Sequence, residues 1–122
     1  MKDTEFYVGE LENVVHWLEE HIDKLAEGKI KQASQQRAVE LKKAELLTTA
    51  NELDENGKPK LKNAELRDTF VLNSLTNCPD FLDLLETQEQ IIAEEATVKI
   101  SDYQFKALIA ILGLMKIKEE TK

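Results

Sequence analysis

The chain has 122 residues, 33% of them charged and 42% hydrophobic, with a formal net charge of −8. That size allows one compact domain or one helical assembly unit, and a single Cys excludes an internal disulfide framework. The acidic balance opposes direct binding to a DNA backbone, and the apolar content is too high for a disordered acidic tail.

The first residues, Met1 to Tyr7, lack a basic segment followed by an apolar one, so no secretory leader is expected. The longest apolar run, Ala107–Met115, has nine residues, against the roughly 20 needed to cross a bilayer. A cytoplasmic protein without membrane contact is the expectation.

The first element is predicted as a helix over about residues 4–53. Leu11, Val15, Leu18, Ile22 and Leu25 recur at 4-3-4-3 spacing and form one stripe. Gly28 then interrupts, and the apolar phase slips to Ile30, Ala33, Arg37, Leu41 and Ala44. A Gly costs about 1 kcal/mol inside a helix, so a kink at Gly28 or two helices meeting there are both open, with one long helix preferred. Residues 54–62 form a linker: Asn56-Gly57 favours a turn, and Pro59 bars its predecessor from helical geometry.

Asn63 is placed to cap a short helix over 64–75, in which Glu65 and Asp68 suit the positive end of the dipole. Thr76 to Asp80 make the second break, and Pro79 fits the first position of a last helix over 79–118. Its predicted stripe is Phe81, Leu84, Gln88, Ile91, Glu95, Val98, Asp102, Phe105, Ile109 and Leu112. The β-branched stretch around Ser101 leaves a two-helix reading of 79–118 open.

These elements predict an all-α fold: a long antiparallel helical hairpin with a short connecting helix. Net charges of −6 for 1–28, +3 for 29–62, −7 for 63–98 and +2 for 99–122 would set basic stretches beside acidic ones in such a hairpin. Residues 105–117 are apolar on nearly every face, with Phe105, Leu108, Ile109, Leu112 and Met115 among them. A helix apolar all round must be enclosed. The expectation is therefore a helical-bundle homo-oligomer, a dimer by default. Its core and interface would use Leu11, Val15, Leu18, Ile22, Leu25, Phe105, Leu108, Ile109, Leu112 and Met115.

Catalytic and metal chemistry find no support. His16 and His21 are five apart, about 140° around a helix, which does not fit the four-residue zinc spacing. Asn13 and Leu18 stand three before them, where a bundle di-iron motif needs Glu. Glu19-Glu20 and Glu94-Glu95 are adjacent pairs of a kind expected on solvated faces in a chain this acidic. No phosphate-binding Gly loop or nucleophile elbow is present. Neither a cofactor nor an enzymatic activity is expected. Lys29, Lys31, Arg37, Lys42 and Lys43 form the one basic stretch, interleaved with Glu40 and Glu45. Glu19, Glu20, Glu86, Glu89, Glu94 and Glu95 are candidates for an acidic partner surface.

A helix through Ala44-Glu-Leu-Leu47, a linker, a new segment opening at Lys62-Asn-Ala-Glu-Leu-Arg67, and a long helix reaching Tyr103-Gln-Phe-Lys-Ala-Leu108 together make a layout over residues 30–112. It resembles small all-helical bacteriophage or prophage proteins encoded among early replication and recombination genes. The resemblance implies a non-enzymatic accessory or adaptor protein in the host cytoplasm, working through a helical oligomer on a host or phage protein. Phe6 to Glu27 lies outside it. Two alternatives stand beside it. One is an anti-CRISPR-like acidic mimic of nucleic acid that inhibits a host nuclease or defence complex. The other is an oligomeric sponge for a signalling nucleotide, with the Lys29–Lys43 segment lining its pocket.

Overall fold

A computed structural model describes residues 2–121. They form three α-helices: α1 over Thr4–Ala50, α2 over Ala64–Thr76 and α3 over Pro79–Glu120. The described residues hold no strand, only an isolated antiparallel bridge between Leu53 and Pro59. The chain divides into two compact units, Met1–Gly28 with Gln90–Lys122 and, separately, Lys29–Glu89.

In the first unit α1 and α3 pack antiparallel. Tyr7 borders the same groove as Ile111 and Met115, Val14 the same groove as Ser101, and Leu25 the same groove as Ile91. On α1 the inward residues are Tyr7, Leu11, Val14, Leu18, His21, Leu25 and Gly28, an unbroken 4-3 alternation. On α3 they are Ile91, Glu94, Val98, Ser101, Phe105, Leu108, Leu112 and Met115.

One column of each seam is the apolar one expected: Leu11, Leu18 and Leu25 on α1, and Ile91, Val98, Phe105 and Leu112 on α3. The second column differs by one residue on both helices. Val15 is only half-buried beside Val14, while Ile22 turns outward and His21 takes its place inside. On α3, Glu95 and Ile109 face out, and Glu94, Ser101 and Leu108 face in. At His21 and Glu94 a hydrogen bond accounts for the exchange. His21 Nδ1 lies 2.6 Å from Glu94 Oε2, so each supplies the partner that burial of a polar group requires.

Gly28 is no interruption: α1 runs through it as a single helix. A Cβ added there would lie 3.3 Å from Ile91 Cγ1, so the missing side chain lets the two helices approach closely.

In the second unit the core is Val39, Ala50, Val71, Leu75 and Leu84, with Leu46, Leu61, Phe70 and Phe81 packed against it. Fully burying one such large aliphatic side chain contributes about 1.5–3 kcal/mol. The expected phase slip after Gly28 is absent. Ile30, Ala33, Arg37, Leu41 and Ala44 are all exposed, and Gln32, Gln35, Ala38, Val39, Lys42, Leu46 and Ala50 carry the seam forward. The alternation begun at Tyr7 continues as far as Leu46, although it now admits polar residues. Gln35 Oε1 is buried there without a hydrogen-bond partner.

The helix ends follow local chemistry. α1 stops at Ala50, short of residue 53, because Leu53 is drawn into the bridge with Pro59. Asp54 Oδ1 accepts from the backbone N–H groups of Asn56 and Lys58, both at 2.9 Å, and Gly57 turns the loop at φ +74°. Asn63 caps α2 by accepting from Leu66 N–H at 2.8 Å. α3 runs unbroken through the β-branched stretch around Ser101, which closes the two-helix alternative.

Candidate interaction surface

The outward faces of the first unit differ sharply between its two helices. Opposite its inward seam, α1 presents His16, Glu20, Asp23 and Glu27, with Glu12 and Glu19 beside them, all exposed. α3 presents Ala93, Ala96, Ile100, Tyr103, Ala107, Ala110, Leu114 and Ile117, again all exposed. These eight positions step 3-4-3-4-3-4-3 and are apolar throughout, apart from the Tyr103 hydroxyl. That spacing keeps them on one stripe. Ile100, Tyr103, Leu114 and Ile117 are 57–63% exposed. The charged residues between 93 and 117 are Glu94, Glu95, Lys99, Asp102, Lys106 and Lys116, and none falls on this stripe.

Two grooves extend the apolar surface toward α1. One, of about 460 Å³, is bordered by Trp17, Val14, Thr97, Ile100 and Gln104. The other joins Tyr7 to Ile111, Leu114, Met115 and Ile117. Trp17 also packs on the His21 ring, with centroids 4.4 Å apart. Lys106 flanks the stripe and bonds Asp102 at 2.8 Å; that hydrogen bond and the carboxylate's charge raise the lysine's pKa above its usual value.

The residues singled out in the sequence are only partly brought together. Leu11, Leu18, Leu25, Phe105, Leu108, Leu112 and Met115 lie in the inward seam, whereas Ile22 and Ile109 lie outside it. Of the acidic candidates in the first unit, Glu19, Glu20 and Glu95 are on the surface, but Glu94 is turned in against His21. Glu95 also engages a partner of its own. In the second unit Glu86 and Glu89 are exposed.

The basic stretch forms no patch. Lys31, Arg37 and Lys43 stand six residues apart in turn and so at different angles around α1, while Lys42 borders the same groove as Leu46, Ser74 and Asp80 and pairs with Glu45 at 3.7 Å. Lys29 has its own interaction. His16 and His21 do not converge, and no group of three or more His, Cys, Asp or Glu among the described residues could hold a metal. Cys78 is a buried free thiol.

The sequence pattern shows an excess of apolar residues in 105–117, and the structure resolves part of it into the outward stripe of α3. Half of its positions, Ala93, Ala96, Ala107 and Ala110, are alanines, which carry a weaker apolar signal than the larger side chains of the inward seam.

No helix among the described residues is long and apolar enough to cross a membrane. No protein-family model, curated protein or solved structure matches the chain.

Proposed function

We propose that this chain is a non-enzymatic accessory or adaptor protein of a bacteriophage or prophage, acting in the host cytoplasm through protein–protein contacts of a helical homo-oligomer. One observation supports the oligomer: Ile100, Tyr103, Leu114 and Ile117 stand 57–63% exposed along one uncharged stripe of α3, and an exposed apolar stripe of this kind marks a contact surface. Light scattering coupled to size-exclusion chromatography at micromolar concentration tests the reading. The expected mass is twice that of the chain or more; a stable monomer overturns it.

A second reading draws on the outer face of α1, where Glu12, Glu19, Glu20, Asp23 and Glu27 are exposed along one side. Such a face favours a basic partner, as an acidic mimic of nucleic acid would. Reversing Glu19, Glu20, Asp23 and Glu27 together should abolish inhibition of a susceptible host nuclease, and unchanged inhibition rejects the mimic. Glu94 is left intact in this test because it supports the fold through His21. The nucleotide-sponge reading needs the Lys29–Lys43 side chains to line one pocket. Their dispersal around α1 lends it no support.

A further inference from the structure

We infer that the outward stripe of α3 pairs with the same stripe of a second copy of this chain, antiparallel, about a two-fold axis passing near residue 105. This rests on the oligomer reading and specifies which surface closes it.

The argument is self-complementarity. Along the stripe, side-chain size alternates in pairs: Ala93 and Ala96 are small, Ile100 and Tyr103 large, Ala107 and Ala110 small, Leu114 and Ile117 large. A two-fold interface must match a surface to itself, residue i meeting j and j meeting i. With the axis near 105, Ala93 meets Ile117, Ala96 meets Leu114, Ile100 meets Ala110, and Tyr103 meets Ala107. Every layer then joins a large side chain to a methyl group, which lets the helices approach closely and interdigitate. In a parallel, in-register pairing each residue would meet its own copy. Large layers would then crowd large ones, and Ala layers would leave voids.

The charge pattern agrees with this choice. No ionised group of residues 93–117 lies on the stripe, so association desolvates no charge along its centre. Lys106 lies near the proposed axis, where it would approach its symmetry mate, and each copy is already neutralised by its own Asp102 at 2.8 Å. The face of α1 formed by His16, Glu20, Asp23 and Glu27 is polar and acidic, and the exposed apolar residues of α1, Trp17 and Ile22 among them, form no comparable unbroken stripe. Self-association through α3 therefore leaves the acidic face open.

Cysteine crosslinking in the full-length chain with Cys78→Ser tests the register. Ala96→Cys and Leu114→Cys combined should give a covalent dimer under mild copper–phenanthroline oxidation. Each single variant should not, because in this register position 96 lies 18 residues from its own copy, about 27 Å along the helix. Ile100→Glu in the otherwise native chain should reduce the sedimenting mass to that of one chain while far-ultraviolet circular dichroism remains helical. If this variant is recovered unfolded, the crosslinking result decides alone.

Crosslinking by a single variant, or an oligomer that neither crosslinks as the double variant nor responds to Ile100→Glu, overturns this inference and leaves the oligomer reading standing. A native chain that sediments as a monomer overturns both.

Discussion

In the first unit, α1 and α3 bury matching seams and turn opposite kinds of surface to the outside. α1 exposes Glu20, Asp23 and Glu27, which water solvates readily; α3 exposes Ile100, Tyr103, Leu114 and Ile117, which it does not. An α1-like helix is complete once its inner seam is covered. An α3-like helix has two seams on opposite sides, and the fold of one chain covers only one of them. The difference shows that amphipathicity must be counted per face: average hydropathy would miss the second stripe of α3, half of which is Ala.

The contrast can be broken from either side. The largest effect is expected on the α3 face, where Ile100→Glu with Leu114→Glu should abolish self-association altogether, read by sedimentation. The inner seam comes next. His21→Ala strips the hydrogen bond from a partly buried Glu94, and the expected cost is about 1.5–3 kcal/mol, measured by urea unfolding. Gly28→Leu forces a side chain into the 3.3 Å approach to Ile91 and should destabilise by about 1–3 kcal/mol. Gly28→Ala should be much milder, since Ile91 can yield and the helix gains propensity worth about 1 kcal/mol. On the α1 face, Glu20→Lys with Asp23→Lys should change stability by less than about 0.5 kcal/mol and leave the sedimenting mass unaltered. A large effect there would erase the distinction between the two helices.

Much of this architecture was legible in the residues. Leu11, Leu18 and Leu25, and likewise Ile91, Val98, Phe105 and Leu112, announce one column of each seam by spacing alone. Asn63 and Pro79 mark helix starts through chemistry contained within a few residues. The second column was legible only in part, because His21 is a good interior residue only when Glu94, 73 positions away, is there to meet it. Spacing therefore favours Ile22 over His21, and it is Ile22 that turns outward; farther along α3, Leu108 and Met115 of the same column are apolar and legible, and only the choice between Leu108 and Ile109 is not. The stretch after Gly28 misled for a related reason. Ile30 and Leu41 are apolar yet exposed, while Gln32 and Gln35 face in to preserve the alternation.

The hydrogen bond between His21 and Glu94 also has a bearing on how folding selects one alignment. The leucine column of α1 repeats every seven residues, as does the facing column of α3, so sliding the helices by one repeat would still set apolar side chains against apolar ones. Such a slide would part Gly28 from Ile91 and break the imidazole–carboxylate match, since the next residues in the Glu94 column are Thr87 and Ser101. The pair thus acts as a key that makes one of several near-equivalent alignments the ground state, a role best attested for polar residues in coiled coils. His21→Leu combined with Glu94→Leu should then be at least as stable as the native chain, yet show more than one set of backbone amide resonances.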